Sequence, residues 1–309
     1  MTQEVVAVLG DGMWGSLLAA LLRDNGHVVR VWSRRHGGDI DETVQPAKVV
    51  VIAVSVAGVL PVMERLTVLS PGAILVSTTK GLLPGSYSTP AQLWQRAFPG
   101  HGVVALSGPN LAAEIAQGLP AATVVASSQS EAAQRVQRVL ASERFRVYTN
   151  NDPLGTELGG ALKNVMAIAA GVCDGLNLGA NAKASLITRA LAEMVRVAIE
   201  LGANPNTLYG LSGLGDLLAT CNSPLSRNYR LGYGLAQGKS LTALLEELQT
   251  TVEGVNTTQV LVQLADQRGI RVPIAQQVYQ LLQHRVTPQQ AVAELMGRDL
   301  KAEFHPDPL

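Results

Sequence analysis

The sequence is poor in cysteine, carries no net charge and contains no apolar run long enough to cross a bilayer. Its two cysteines, Cys173 and Cys221, lie far apart and form no metal-ligand spacing, which excludes a disulfide framework and fits two reduced thiols in a cytosolic protein. Lys plus Arg and Asp plus Glu both number 24. That balance argues against a nucleic-acid groove or a polybasic membrane anchor and leaves room only for a local anion site. The start, Met1-Thr2-Gln3-Glu4, lacks the basic segment of a secretory signal. Other apolar stretches are broken by Gly, Pro or charge well before the ~20 residues a span needs. The five histidines are scattered, with no His/Cys/Asp cluster, so no metal is expected. Repeats and low-complexity tracts are also missing. These absences predict a soluble cytoplasmic protein without nucleic-acid or membrane partners.

What is present is a chain of 309 residues, 47% hydrophobic, long enough for about two domains at roughly 150 residues each. The first half alternates short β-branched runs with helix-like segments. Strands are expected at Val5–Leu9, Val28–Trp32, Val49–Val54, Ala73–Val76, Val103–Leu106, Ala122–Ala126 and Phe145–Tyr148, with a helix at Met13–Asn25. Continuous apolar runs predict strands covered on both faces of a mostly parallel sheet, hence a doubly wound α/β domain over residues 1–150. Beyond Asn150-Asn151-Asp152-Pro153 the pattern turns helical. Leu158, Leu162, Val165, Met166 and Ala169 make one apolar helix face. Further helices are expected at Lys183–Leu201, Leu241–Gln249, Thr257–Arg268, Ala275–Gln283 and Pro288–Met296, with Gly202, Gly238, Gly269 and Gly297 as stops. Residues 151–309 therefore read as an all-α domain.

Gly10-Asp11-Gly12-Met13-Trp14-Gly15 matches G-x-G-x-x-G after the first strand and at the opening of a helix, the context that makes the pattern a dinucleotide site rather than a purely structural turn. Gly10 permits the tight turn, Gly12 admits pyrophosphate close to the backbone, and Gly15 lets helix and strand pack. The helix-start N–H groups at Met13 and Trp14 face the anion. The second strand ends at Trp32-Ser33-Arg34-Arg35, where an NAD-selective site would place an acidic residue on the ribose. Arg34 and Arg35 either face a 2′-phosphate or form a solvated basic turn; the reading leans to NADP(H) and leaves NAD(H) open.

Two segments sit at carboxyl ends of strands, where open parallel sheets bind ligands: Thr78-Thr79-Lys80-Gly81 and Leu106-Ser107-Gly108-Pro109-Asn110. In Glu157–Val165, Lys163 falls at the flank of the apolar helix face, with Gly159 one turn before it leaving bare backbone and space for a ligand. Such a lysine is either an acid/base group with a lowered pKa or a side chain snorkelling from an interdomain helix. Farther on, Ser226 can cap a helix whose first turn holds Arg227 and Asn228, an arrangement suited to a phosphate dianion or simply an ordinary capped helix start.

The stretches ELGGALKNVMAIAA (157–170), DGLNLGANAKASLITRALAEM (174–194), GLSGLGDL (210–217) with Thr220-Cys221, and Ser226–Asn228 together resemble the bacterial type of NAD(P)-dependent glycerol-3-phosphate dehydrogenase. The resemblance runs through most of the chain. It implies a Rossmann-like domain followed by a helical domain like that of 6-phosphogluconate dehydrogenase. It also implies interconversion of dihydroxyacetone phosphate and sn-glycerol 3-phosphate for glycerophospholipid synthesis, and a homodimer. By the same resemblance Lys163 is the general acid/base and Lys80 lies near both cofactor and substrate. Gly108, Asn110, Asp216, Ser226, Arg227 and Asn228 contact substrate, while Ala112, Arg227 and Glu253 contact cofactor. One departure is length: only Arg34 to Lys48 joins Trp32 to the strand at Val49, so roughly 25–30 residues of βα and loop material are missing from the family pattern. Two rivals follow. A β-hydroxyacid dehydrogenase would share the first turn but not Asp216 with Ser226–Asn228. A catalytically silent nucleotide binder would fit the short segment but not Lys80, Lys163 and Arg227.

Overall fold

The computed structural model describes residues 3–249, 251–300 and 302–303; the outer ends of the two expected domain spans lie outside the described residues. The first half runs β1 (Val5–Leu9), α1 (Met13–Asp24), β2 (Val28–Trp32), α2 (Ile40–Val44), β3 (Val49–Ile52), α3 (Val56–Arg65), β4 (Ile74–Ser77), α4 (Pro90–Ala97), β5 (Gly102–Ser107), α5 (Ala112–Ala116), β6 (Ala121–Ala126), α6 (Ser130–Leu140) and β7 (Phe145–Asn150). The strands form one sheet in the order β2-β1-β3-β4-β5-β6-β7. All pairs are parallel except β5 with β6.

β1 and β3 are apolar throughout because both of their faces are covered. Val6 and Val8 point into one core with Leu18 and Leu22 of α1. Their neighbours Ala7 and Leu9 point into another with Val59 and Val62 of α3 and Trp94 of α4. Alternate residues thus feed opposite layers, as the two-residue period of a strand requires. The fold is Rossmann-like, with helices on both faces of the sheet. At β2 the expectation of full burial fails: Val28 and Val31 are exposed. That strand is the sheet edge, because a turn at 33–37 and the five-residue α2 lead straight back to β3 and supply no further strand outside it.

The second half is helical: α7 (Pro153–Gly175), α8 (Gly179–Glu200), α9 (Pro205–Leu208), a π turn (Leu211–Gly215), α10 (Asp216–Cys221), α11 (Arg227–Ala236), α12 (Leu241–Leu248), α13 (Glu253–Arg268), α14 (Pro273–Leu282) and α15 (Pro288–Met296). Pro153 at the first turn and Asp152, which accepts the Gly155 N–H, start α7. The single apolar face expected for this helix is a correction: α7 is buried on nearly every side. Its small residues let other backbones close in where an amphipathic helix would meet water. A Cβ on Gly171 would stand 2.0 Å from the Tyr229 carbonyl oxygen, and one on Gly232 of α11 would stand 1.9 Å from that of Ile168. Gly232→Ala is therefore expected to force the two helices apart and destabilise the fold by about 3 kcal/mol or more. Urea denaturation would measure it, and a midpoint equal to wild type would count against this packing argument.

The same closeness corrects the space expected beside Lys163. The carbonyl oxygen of Ser212, in the π turn, would lie 2.4 Å from a Cβ on Gly159, so protein backbone fills it and no ligand does.

Candidate active site

The Gly-rich turn has the shape its chemistry needs. Gly10 has φ +115° and a Cβ there would meet the Ala53 carbonyl oxygen at 2.5 Å; one on Gly15 would meet the Gly10 carbonyl oxygen at 2.1 Å. A Cβ on Gly12 would meet nothing within 4 Å. The first and third glycines are demanded by the protein itself, while the second leaves an open approach at the start of α1. Gly12 caps α1 without a side-chain hydrogen bond, and no acidic residue occupies its first turn. That leaves the positive end of the helix at Met13 and Trp14 suited to an anion. These features fit a dinucleotide pyrophosphate.

Arg34 and Arg35 are exposed on the turn that closes between Ser33 and Gly37. His36, not foreseen from the sequence, ties this turn to the Gly-rich loop: its Nδ1 lies 3.0 Å from Asp11 Oδ2 and 3.0 Å from Ser33 Oγ. His27 and His101 are structural, each bonded to backbone across the sheet domain.

At the carboxyl ends of β4 and β5 the two loops meet the helical half. Lys80 Nζ donates to Asp216 Oδ2 at 2.6 Å and to the Gly108 carbonyl oxygen at 3.0 Å. Lys163 Nζ donates to Asp216 Oδ1 at 2.6 Å and to Thr220 Oγ1 at 2.6 Å. One carboxylate therefore bridges two ammonium groups that the chain separates widely. A protonated lysine has three N–H donors. Two of each are taken among the described residues, so each lysine keeps one for a bound oxygen. The trio carries one net positive charge, which suits an anionic substrate.

Burial pulls the Lys163 ammonium down to about 8, with Lys80 adding to the effect and Asp216 opposing it. Glu253 of α13 faces the same cations. Burial pushes its carboxyl up to about 7 against the pull of Arg227, Lys80 and Lys163.

Asp216 arrives at the first position of α10, directly after the π turn. Thr220 stands four residues later on the same helix face, the spacing at which helical side chains meet. Sequence reasoning gives Thr220 no role, and the i, i+4 relation to Asp216 is the signal that would have found it. Ser107 was also passed over. Its buried Oγ has no partner among the described residues, and it is accommodated only because Gly160 has no side chain, a Cβ there falling 2.5 Å from that oxygen and 3.4 Å from the Lys80 stem.

Asn110 donates to Thr123 Oγ1 at 2.9 Å and leaves Oδ1 buried without a partner among the described residues, an acceptor fit for a substrate hydroxyl. Ala112 opens α5 just beyond. Ser226 and Asn228 are more occupied than expected. Ser226 Oγ caps α11 by accepting the Tyr229 N–H. Asn228 donates to Asn164 Oδ1 at 2.9 Å and accepts the Gly254 N–H at 3.0 Å, knitting α7, α11 and α13 behind the lysines. Arg227, exposed at the first turn of α11, is the member of this group that reaches solvent.

A cavity of about 1130 Å³ lies elsewhere, bordered by Arg189, Glu193, Arg196 and Met296 among others, and none of these site residues lines it. Both cysteines are buried and free. No described helix is long and apolar enough to cross a membrane, and no group of three metal-ligating side chains occurs among the described residues.

Known proteins place this architecture. The model for the NAD-dependent glycerol-3-phosphate dehydrogenase N-terminus matches residues 5–38 and 35–133, and that for the C-terminus matches residues 152–293. Glycerol-3-phosphate dehydrogenase [NAD(P)+] from Synechocystis sp. is 58% identical over 98% of this chain and 96% of its own length. The protein of the same description from Nostoc sp. is 58% identical over 307 residues, covering 99% of this chain and 100% of itself. It is matched over its full length, so this chain is as long as a relative of that description. The crystal structure of glycerol-3-phosphate dehydrogenase from Coxiella burnetii superposes with a TM-score of 0.88 at 33% identity, over 96% of this chain and 99% of that one. With one family model over the sheet, the other over the helices that hold Lys163 and Asp216, and relatives matched end to end, the chain belongs to the NAD-dependent glycerol-3-phosphate dehydrogenase family.

Proposed function

We propose that the protein interconverts dihydroxyacetone phosphate and sn-glycerol 3-phosphate, with Lys163 as general acid/base and NADP(H) as the preferred cofactor. The observation that carries the reading is the pair of ammonium groups bridged by Asp216 at the carboxyl ends of β4 and β5, where an open sheet of this kind takes its ligands. In this reading residues 1–150 hold the dinucleotide and residues 151–309 supply the acid/base group.

A bound nicotinamide supplies the hydride in reduction and takes it in oxidation. As the ketone carbon is reduced, negative charge develops on its oxygen. The remaining N–H of Lys163 stabilises that oxygen and transfers a proton to it. Lys80, fixed by Asp216 and the Gly108 carbonyl, adds a second positive charge beside it. Asn110 Oδ1 accepts from the substrate hydroxyl, and Arg227 in the exposed first turn of α11 holds the phosphate. Asp216 takes both lysines as its partners, so in this scheme it orients them beside the substrate.

The lean to NADP(H) is supported by Arg34 and Arg35 at the end of β2, two guanidinium groups where a 2′-phosphate would lie. The likeness to the family supports a homodimer, a cytoplasmic location and a place in glycerophospholipid synthesis as parts of this reading.

The test is oxidation of NADPH and NADH by the protein in the presence of dihydroxyacetone phosphate or a 3-keto acid. Turnover with the phosphorylated ketone alone is expected. Arg34→Ala with Arg35→Ala is expected to raise KM for NADPH about tenfold or more while leaving that for NADH nearly unchanged. Turnover with the keto acid alone would refute the substrate, and equal effects on both cofactors would refute the preference.

A further inference from the structure

Glu157 is a buried carboxyl that the mechanism above does not use. It lies on α7, 5% exposed, six residues before Lys163. Its Oε1 accepts two hydrogen bonds from the sheet domain: one from Ser77 Oγ at 3.2 Å and one from the Ala91 N–H at 2.9 Å. Ser77 ends β4 and stands three residues before Lys80; Ala91 is in the first turn of α4. One oxygen thus joins the strand that delivers Lys80, the helix packed behind it and the helix that delivers Lys163.

Among the described residues the second oxygen, Oε2, is buried without a partner, and so is the Oγ1 of Thr89, which stands at the N-cap of α4 and faces the carboxyl without meeting hydrogen-bond geometry. An ionised carboxylate has only acceptors, whereas a protonated one has a donor. Burial pushes this carboxyl up to about 7, against the pull of its neighbours Thr89, Ala91 and Ser77. A rotation of the Thr89 hydroxyl lets it donate to an ionised Oε2 or accept from a protonated one, so either form can satisfy both groups.

We propose that Glu157 is a positioning residue for hydride transfer: by clamping the end of β4 and the start of α4 onto α7, it sets the distance at which Lys80 and Lys163 meet across Asp216. The proposal rests on the lysine mechanism above. Each lysine reaches Asp216 at 2.6 Å, so a shift of either element opens one of the two contacts. A misplacement of about 1 Å can cost on the order of a hundredfold in rate.

Glu157→Gln, Glu157→Leu and Ser77→Ala in the full chain test this. In Glu157→Gln the amide oxygen accepts the same two bonds and the amide nitrogen can donate to Thr89, so kcat is expected within about threefold of wild type. Glu157→Leu leaves the Ala91 N–H without a partner and unclamps β4. It is expected to lower kcat about ten- to a hundredfold, with NADPH affinity within about threefold and a larger isotope effect from 4-deuterated NADPH, because the transfer step itself becomes slow. Ser77→Ala removes one bond and makes no large cavity. It is expected to lower kcat severalfold and raise the isotope effect at an unchanged melting midpoint, which decides the matter where Glu157→Leu fails to fold.

A folded Glu157→Leu or a Ser77→Ala with wild-type kcat and isotope effect would overturn the proposal, as would a Glu157→Gln as slow as Glu157→Leu. Absence of wild-type turnover with dihydroxyacetone phosphate would instead sink the underlying reading of the site.

Discussion

Replacing Lys163 with methionine is expected to lower kcat for reduction of dihydroxyacetone phosphate about a hundredfold to ten-thousandfold, the range for loss of a positioned proton donor, while NADPH affinity stays within about threefold. Methionine keeps the length of the stem, and Asp216 keeps Lys80 as its partner. The cofactor turn at Gly10, Gly12 and Gly15 is built by the sheet domain alone, so binding and chemistry should separate. The pH profile has a definite sign. Lys163 is pulled down to about 8, so the ammonium that serves as acid in reduction is lost as pH rises through about 8. In oxidation the neutral amine is the base, and the rate should climb through the same pH. Opposite limbs in the two directions, both absent in Lys163→Met, are the expected result. Retained turnover in the variant would end the proposed mechanism.

Asp216→Asn should have the next largest effect, and for a different reason. The carboxylate accepts from Lys163 through one oxygen and from Lys80 through the other. An amide keeps the shape, but its nitrogen is a donor and turns against one of the two ammonium groups. Breaking a buried pair from one side typically costs about 3–5 kcal/mol, because the partner charge stays buried. Here two partners lose their counter-charge together. Asp216 is the group that opposes the fall of the Lys163 pKa. Without it the lysine should release its proton at lower pH, and the alkaline limb of reduction should move to about pH 7 or below. Stopped-flow rates across pH, with urea denaturation beside them, would read both effects. A limb that stays near 8 would show that Asp216 does not govern Lys163.

How much of this was legible in the chain differs from element to element. The strand at Val5–Leu9 could be read because it is apolar at every position, and it is apolar because helices cover both faces. The cap at Ser226 could be read because its oxygen accepts the N–H three residues on, a matter of local geometry. Lys163 could be singled out because a charge flanks an otherwise apolar run. By contrast, the exposure of β2 was missed, since Val28–Trp32 has the composition of a central strand. Only the absence of a further strand outside it makes it an edge.

Local chain chemistry was enough to specify the alternation of strands and helices, the dinucleotide turn, the change to helices after residue 150 and the residue types of the site. All of these depend on periodicity, turn chemistry and capping within a few neighbours along the chain. Packing of distant elements settled that Asp216 bridges Lys80 and Lys163, that the Ser212 carbonyl fills the space beside Gly159, that α7 is buried on nearly every side, and that Glu157 joins α7 to β4. Each of these is a contact between residues far apart in the chain. Hydrophobic period and local propensity carry no information about which distant groups will face each other, and those pairings arise only when the layers pack.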